Sequence, residues 1–408
     1  MQKAPYFVGL DIGTSGVRCV VGMMEHSDSD SRVSVIGVGS SHNGGMRKGT
    51  VVHVEEVAAS ISEAVSEAER MSGVRVSAAT VNVNGAHVSS MPSHGVVAIS
   101  SPTRQITDDD RVRVEEAATV INLPANREII QVFAKNYKID GQDNIKDPVG
   151  MQGVRLEVDT IVVTAGAPLL RTLDTAIEKA QVGIKNHTIS SLAAAEAVLD
   201  RRQKESGTAV IDIGAGTTNI VVIEEGEVEY VGVIPIGSQN LTNDLAIGLK
   251  TDLEVAEEVK KAHATLDFSE PPAENVSVEH GGKRYSFSEK TIRLVVEARI
   301  DELLEQVERE FKKIGKSKKL PGGVVLVGGM ANMPGLASYA REALQLPAKT
   351  GVIQSAGGFI DTVNAPEYAT SVGLMILDML LSEGSNQGFL SGPNDGHGLI
   401  NKFKNLFS

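Results

Sequence analysis

The sequence predicts an α/β fold of two related halves that face each other across a cleft, and three observations carry that reading. The opening run Val8-Gly-Leu-Asp-Ile-Gly-Thr-Ser-Gly-Val-Arg returns later as Val210-Ile-Asp-Ile-Gly-Ala-Gly-Thr-Thr-Asn-Ile, with Asp11 and Asp212 in equivalent places. Strand-like runs alternate with amphipathic helical stretches along most of the chain. At 408 residues the chain exceeds what one hydrophobic core supports, so two or more domains are expected.

Taken in order, Tyr6 to Asp11 and Arg18 to Gly22 read as strands around a Gly-Thr-Ser-Gly turn, and Val33 to Val38 as a third. Val57, Ile61, Val65 and Ala68 recur at helical spacing, so Val54 to Met71 is an amphipathic helix, followed by a strand from Thr80 to Gly85. Thr107 with Asp110 resembles a capping box at the start of a helix inside a smaller α+β insertion, 88–158. From Ile161 the alternation resumes through helices at Leu173 to Ala180 and Ser191 to Arg201. The repeat then opens the second half. There Thr251 with Glu254 is expected to cap a helix from Asp252 to Ala264, and Ile292 to Phe311 is a longer one, both within a second insertion, 241–319. The first core comprises 1–87, 159–206 and 355–381, and the second 207–240 and 320–354. The run 382–397 is rich in Ser, Gly, Asn and Pro and reads as a flexible linker to a short apolar tail, 398–408.

Composition removes several function classes. A net charge of -13 and a pI near 5.3 argue against nucleic acid as partner, because phosphate backbones need a dominant basic field. The single cysteine, Cys19, forms no internal disulfide and reads as plain core, and the nine histidines show no metal-binding spacing. No secretory signal and no apolar run of membrane-spanning length are evident, so a cytoplasmic protein is expected.

Each Asp-Ile-Gly turn joins two strands through glycines and small hydroxyl residues, which lets consecutive backbone N–H groups cradle an anion. Two such turns can clasp one polyphosphate. Asp11 and Asp212 stand where a strand enters its turn, and carboxylates there suit Mg²⁺ held through water. A third element, Val324-Val-Leu-Val-Gly-Gly-Met-Ala-Asn-Met-Pro-Gly, is an apolar strand that breaks on Gly328-Gly329 into a helix and lets an adenine approach the backbone. Gly315-Lys316-Ser317 looks like the end of a P-loop, but Glu310 stands where that loop needs glycine, so Arg309 to Lys319 reads as a solvated helix end.

Paired phosphate turns followed by a Gly-Gly element resemble the actin, Hsp70 and sugar-kinase superfamily, whose actin-like fold duplicates a ribonuclease-H-like core around a nucleotide cleft. Gly45-Met-Arg-Lys-Gly-Thr-Val-Val, Val83-Asn-Gly-Ala-His-Val, Arg127-Glu-Ile-Ile-Gln-Val, Tyr137-Lys-Ile-Asp-Gly and Asp147-Pro-Val-Gly-Met-Gln-Gly-Val-Arg-Leu narrow the resemblance to the FtsA family of bacterial cell-division proteins, from about residue 6 to 381. The resemblance implies ATP and Mg²⁺ as ligands. It matches Gly13, Thr14, Ser15 and Arg18 to the first phosphate loop, and Gly214, Ala215, Gly216, Thr217, Thr218 and Asn219 to the second. Glu257 and Lys260, with Gly328, Gly329 and Met330, match the adenosine side, an ordinary helical ion pair being the plain alternative for the first two. Active ATPases of the superfamily carry a water-positioning Glu or Gln near Ile189-Ser-Ser-Leu-Ala-Ala-Ala. This chain has Ser190 and Ser191 there, which implies at most weak ATPase activity and a scaffold role.

The resemblance further implies filaments of the chain itself at the inner membrane, later divisome proteins docking on 88–158, and FtsZ as partner. Arg299 matches a family position that contacts the FtsZ C-terminal peptide, with Lys290 and Arg293 on the same segment; a solvated helix face is the alternative. In the tail, Leu399, Ile400, Phe403, Leu406 and Phe407 fall within an arc of about 120° if helical, with Lys402 and Lys404 at its edges. Such an amphipathic helix suits anionic inner-membrane lipid, docking on the protein's own body being the alternative. A sugar or acid kinase is the enzymatic alternative for the whole chain, and an Hsp70-like chaperone the next.

Overall fold

The structure, a computed structural model, describes residues 5–27, 30–354, 356–358 and 360–384. Its frame is one topology used twice. In the first half, strand Tyr6–Ile12 pairs antiparallel with Gly16–Ser27 and parallel with Ala78–Val83. In the second, strand Thr208–Ile213 pairs antiparallel with Thr218–Glu224 and parallel with Gly323–Val327. Outer strands extend both sheets in the same order. Asp30–His42 and Gly183–Ile189 flank the first, with Ala356–Gly358 at its far edge, and Glu227–Ile234 and Ala348–Thr350 flank the second.

The central strands are apolar on both faces because helices cover both. Helix Val54–Ser72 buries Val57, Ile61, Ala64, Val65 and Ala68, and it stops where Gly73 turns left-handed at φ 68°. Helices Ser190–Val198 and Ala369–Gly384 pack against each other and close the inner side of the first sheet. The last helix is pinned by Asp378, fully buried, whose carboxylate accepts from Val8 N–H and the Thr80 hydroxyl at 2.9 Å each and from Lys185 at 2.7 Å. Among the described residues no helix is long and apolar enough to cross a membrane.

A separate four-stranded sheet, in the order Ser89–Ala98, Arg155–Gly166, Arg127–Ile139, Gln142–Ile145, projects from the first half. Helix Asp108–Thr119 packs on it over Val114, Ala118, Ile139, Leu156 and Val158. The expected Thr107–Asp110 capping box is present: Thr107 Oγ1 accepts from Asp110 N–H at 3.3 Å and the Asp110 carboxylate accepts from Thr107 N–H at 3.0 Å. The second expected cap is corrected. Helix Leu253–His263 begins after Asp252 with no side-chain cap bond, so Thr251 and Glu254 do not form a box. The stretch expected as one helix from Ser191 to Arg201 is two, because the chain turns extended at Leu199 and Asp200 then caps a new turn, Arg201–Ser206, with Gln203. The long second-half helix runs Glu289–Lys313, beside the hairpin Val276–His280 and Lys283–Phe287. The tail residues Leu399, Ile400, Lys402, Phe403, Lys404, Leu406 and Phe407 lie outside the described residues.

Candidate functional site

The two hairpin turns face each other. In the first, Gly13 N–H donates to Gly16 carbonyl at 3.0 Å, and in the second Gly214 N–H donates to Thr217 carbonyl at 2.9 Å, the same closing bond. Asp11 lies opposite Arg18 in its hairpin and Asp212 opposite Asn219 in the other. Between the halves lies a cleft of about 110 Å³. Asp11, Gly13, Thr14, Ser15 and Arg18 line it from one side, and Asp212, Gly214, Ala215, Thr217, Asn219, Gly328 and Gly329 from the other.

Both carboxylates are buried. Burial pushes Asp11 up to about 7, opposed by Arg18 and assisted by the charge of Asp212. Burial likewise pushes Asp212 up to about 6, offset by hydrogen bonds from Asn219 and Thr370 and by Arg18. Two buried carboxylates that repel each other attract a cation, and two are what magnesium takes from a protein when water and phosphate supply its remaining oxygens. Among the described residues no group of three or more His, Cys, Asp or Glu side chains could hold a metal ion.

The Gly-Gly element approaches as closely as its composition allows. Gly328 has φ 83°, and a Cβ there would sit 2.5 Å from Asp212 Oδ1, so only glycine fits. Gly329 would meet nothing within 4 Å, which leaves its face open to the cleft. Met330 instead buries itself in the core of the second half.

Four further expected residues stand off the cleft surface. Thr218 donates its hydroxyl to the Ile236 carbonyl at 2.8 Å, inside the sheet. Gly216 abuts the other half: a Cβ there would come within 2.7 Å of Thr14 Oγ1 and 2.9 Å of Lys48 Cα. Glu257 and Lys260 pair at 2.6 Å one layer back, where Lys260 reaches Thr242 Oγ1 at 2.9 Å and Ser238 carbonyl at 3.5 Å. Burial opposes the charge on Glu257, but bonds from Lys260 and Thr242 outweigh it and hold the carboxyl below its usual range. Ser238 itself lines the cleft.

Sequence reasoning missed Asn82, Asn84, Ser238, Glu367 and Thr370, whereas Ser190, singled out in the sequence, does line the cleft. Asn82 orients Asp11, donating to its Oδ1 at 2.7 Å and accepting from Ile12 N–H at 2.7 Å, and also donates to Ser190 Oγ at 3.1 Å. The available signal was an asparagine in the apolar strand Ala78–Val83, a place that tolerates a polar side chain only when it has partners.

The second-half insertion carries an apolar groove of about 400 Å³ between helices Ser238–Leu249 and Glu289–Lys313, flanked by exposed Ile247 and Leu294. Arg299 lines it, paired to Asp244 and, at 2.6 Å, to Glu302. Arg293 is turned elsewhere, bonded to Glu289 and the Glu270 carbonyl, and Lys290 is exposed. The structure therefore separates Arg299 from Arg293.

Comparison with known proteins fits this architecture. The model described as cell division protein FtsA matches residues 209–373, and that described as the SHS2 domain inserted in FtsA matches 85–164, over the projecting four-stranded sheet. The FtsA protein of Bacillus subtilis is 39% identical over 92% of this chain and 84% of its own length. The chain belongs to the FtsA family of cell-division proteins. FtsA of Pseudomonas aeruginosa is 36% identical over 92% of the chain and 90% of its own, and FtsA of Escherichia coli 31% over 90% and 89%. Among solved structures, a chain of the PilM–PilN type IV pilus biogenesis complex superposes with TM-score 0.65 at 18% identity, covering 91% of this chain and 98% of that one. MreB5 of Spiroplasma citri bound to AMPPNP superposes with TM-score 0.55 at 14% identity, covering 95% and 100%. The FtsA chain thus has the actin-like fold with the family's insertion.

Proposed function

We propose that the cleft binds ATP with Mg²⁺ and that nucleotide-controlled closure governs a scaffold that polymerises on the cytoplasmic face of the inner membrane and anchors FtsZ filaments at the division septum. The observation that carries the reading is the facing pair Asp11 and Asp212, each buried at the head of a glycine turn and each pushed above its ordinary value by that burial. Bound Mg²⁺ would neutralise both carboxylates and the phosphates between them. MreB5 relatives in fold were solved bound to ADP and to AMPPNP, which supports a nucleotide as ligand. Small-molecule sites span about 300–1,000 Å³, so a cleft of about 110 Å³ opens by movement of the halves to admit ATP. With Ser190 lining the cleft at the stretch where active ATPases of the superfamily carry a water-positioning Glu or Gln, turnover is slow and the nucleotide acts as a switch.

The groove beside Arg299 supplies the FtsZ site: exposed Leu294 and Ile247 offer apolar contact, and an acidic peptide competes with Asp244 and Glu302 for the guanidinium. The tail from Leu399 inserts into anionic lipid; half-burying its five apolar side chains contributes roughly 5 kcal/mol before the cost of ordering. One tail binds weakly, and a polymer binds firmly by multivalency. Later divisome proteins dock on the 88–158 insertion.

Thermal unfolding with and without ATP and Mg²⁺ tests the cleft: a ligand that binds only the folded state raises the melting temperature, and no shift at millimolar MgATP would refute the site. Co-sedimentation with anionic liposomes, with and without FtsZ filaments, tests the tether. Deleting Gly398 to Ser408 or substituting Phe403→Glu is expected to release the protein without altering the nucleotide response.

A further inference from the structure

The short turn Pro366–Tyr368 and the first residues of helix Ala369–Gly384 cross between the halves. Toward the second half, Gly328 N–H donates to the Pro366 carbonyl at 3.0 Å, Asn332 donates to Glu367 at 2.8 Å, and Thr370 donates to Asp212 Oδ2 at 3.4 Å. Toward the first half, the Tyr368 ring lies under the Arg18 guanidinium, 5.3 Å from its centroid. Arg18 borders two cavities. One is the cleft; the other is a polar hollow of about 380 Å³ on the outer side of the first turn, lined by Ser40, His42, Glu63 and Tyr368 itself. A guanidinium on a flexible stem could serve either, and Glu63 offers it a carboxylate on the outer side. An aromatic face attracts the cation without using its N–H donors, so Tyr368 restrains Arg18 while leaving its fork free to bond phosphate.

From this arrangement we propose that Tyr368 and Thr370 are positioning residues of the nucleotide site: Tyr368 fixes the phosphate-facing Arg18 of the first half and Thr370 the carboxylate of Asp212 in the second. The inference rests on reading the cleft as a Mg²⁺–nucleotide site. Because both residues belong to one turn and the helix it starts, the cation of one half and the carboxylate of the other are set together. Arg18 then discriminates by phosphate number, and Thr370 acts through the metal.

The test measures binding of ATP, ADP and AMP, each titrated with Mg²⁺, to the full-length parent and to Tyr368→Leu, Tyr368→Phe, Thr370→Val and Thr370→Ser. Tyr368→Leu is expected to lose about tenfold in preference for ATP over AMP, the worth of a partly buried cation–π contact, while AMP affinity stays within about twofold. Tyr368→Phe, which keeps the ring, should match the parent. Thr370→Val should raise the Mg²⁺ concentration required at half-saturation and Thr370→Ser should restore it. Parent-like selectivity in Tyr368→Leu, or an equal loss for all three nucleotides, would overturn the assignment of Tyr368. An unchanged Mg²⁺ requirement in Thr370→Val would overturn that of Thr370. Failure of the parent itself to bind any nucleotide would instead reject the underlying site.

Discussion

The two halves share a turn, a closing hydrogen bond and an aspartate, yet they support that aspartate differently. Asp11 is gripped by Asn82 of its own sheet at 2.7 Å and faces a cation, Arg18. Asp212 is held only by long contacts, 3.4 Å each from Asn219 and Thr370, and an amide replaces the cation across its hairpin. The two halves thus keep the carboxylates in equivalent places while their surroundings differ. The first half sets an arginine beside its carboxylate, and the second is completed by a residue from a helix packed on the first.

The largest expected effect comes from the carboxylates themselves. With folded values raised from 3.8 to about 7 for Asp11 and about 6 for Asp212, the native state holds more protons than the unfolded chain across that window. Their contribution to stability is therefore full below about pH 4 and is lost as pH rises toward 7. Asp11→Asn should stabilise the ligand-free protein at pH 7 by on the order of 2 kcal/mol, flatten this dependence and abolish the response to Mg²⁺ with ATP. Denaturant titrations across pH 4–8 check all three, and an unflattened profile would contradict the burial argument. If the halves were equivalent, Asp212→Asn would behave identically; the smaller shift on Asp212 predicts a weaker gain.

A comparison of turn glycines comes next. A side chain at Gly13 would strike Gly16 carbonyl, 2.9 Å away within its own turn, whereas one at Gly216 would strike Thr14 and Lys48 across the cleft. Gly216→Val should therefore leave folding of the second half intact and hold the cleft ajar, lowering ATP affinity about ten- to a hundredfold, while Gly13→Val should lower stability as well. Calorimetric titration beside thermal unfolding separates the two effects.

On the second-half insertion, Arg299→Glu should weaken FtsZ-peptide binding about tenfold, and Asp244→Asn, which leaves Glu302 as the guanidinium's remaining carboxylate partner, should tighten it. Equal affinity in both variants and the parent, measured by fluorescence anisotropy, would remove the groove from the interface. The smallest contrast lies behind the carboxylates. Asn82→Ala strands the Ile12 N–H and should cost about 1–3 kcal/mol of stability, against less than about 1 kcal/mol for Asn219→Ala.

The duplicated turns, the Gly-Gly break and the insertion were legible because each is a local pattern that repeats or interrupts periodicity. Asn82, Tyr368 and Thr370 were not, since their roles arise from contacts between segments far apart in the chain. Arg299 was legible as a cation but its commitment to Asp244, on another helix, was not. Gly216 was correctly placed in a turn, yet which wall it touches depends on how the halves face each other, and a local pattern carries no information about that.

The projecting sheet also has a consequence for solubility. Strand Glu227–Ile234 is the edge of the second sheet, a row of backbone donors and acceptors open to pairing with another chain. The insertion covers it: Ser90 Oγ donates to the Val231 carbonyl at 2.6 Å and accepts from Val231 N–H at 3.2 Å, imitating a neighbouring strand. Lys135 meets Glu229 at 2.6 Å and Lys146 meets Glu227 at 2.9 Å along the same edge. By occupying that edge, the insertion is expected to hinder edge-to-edge pairing with another chain. A chain deleted for 88–166 should precipitate with cross-β character even where its two halves still fold.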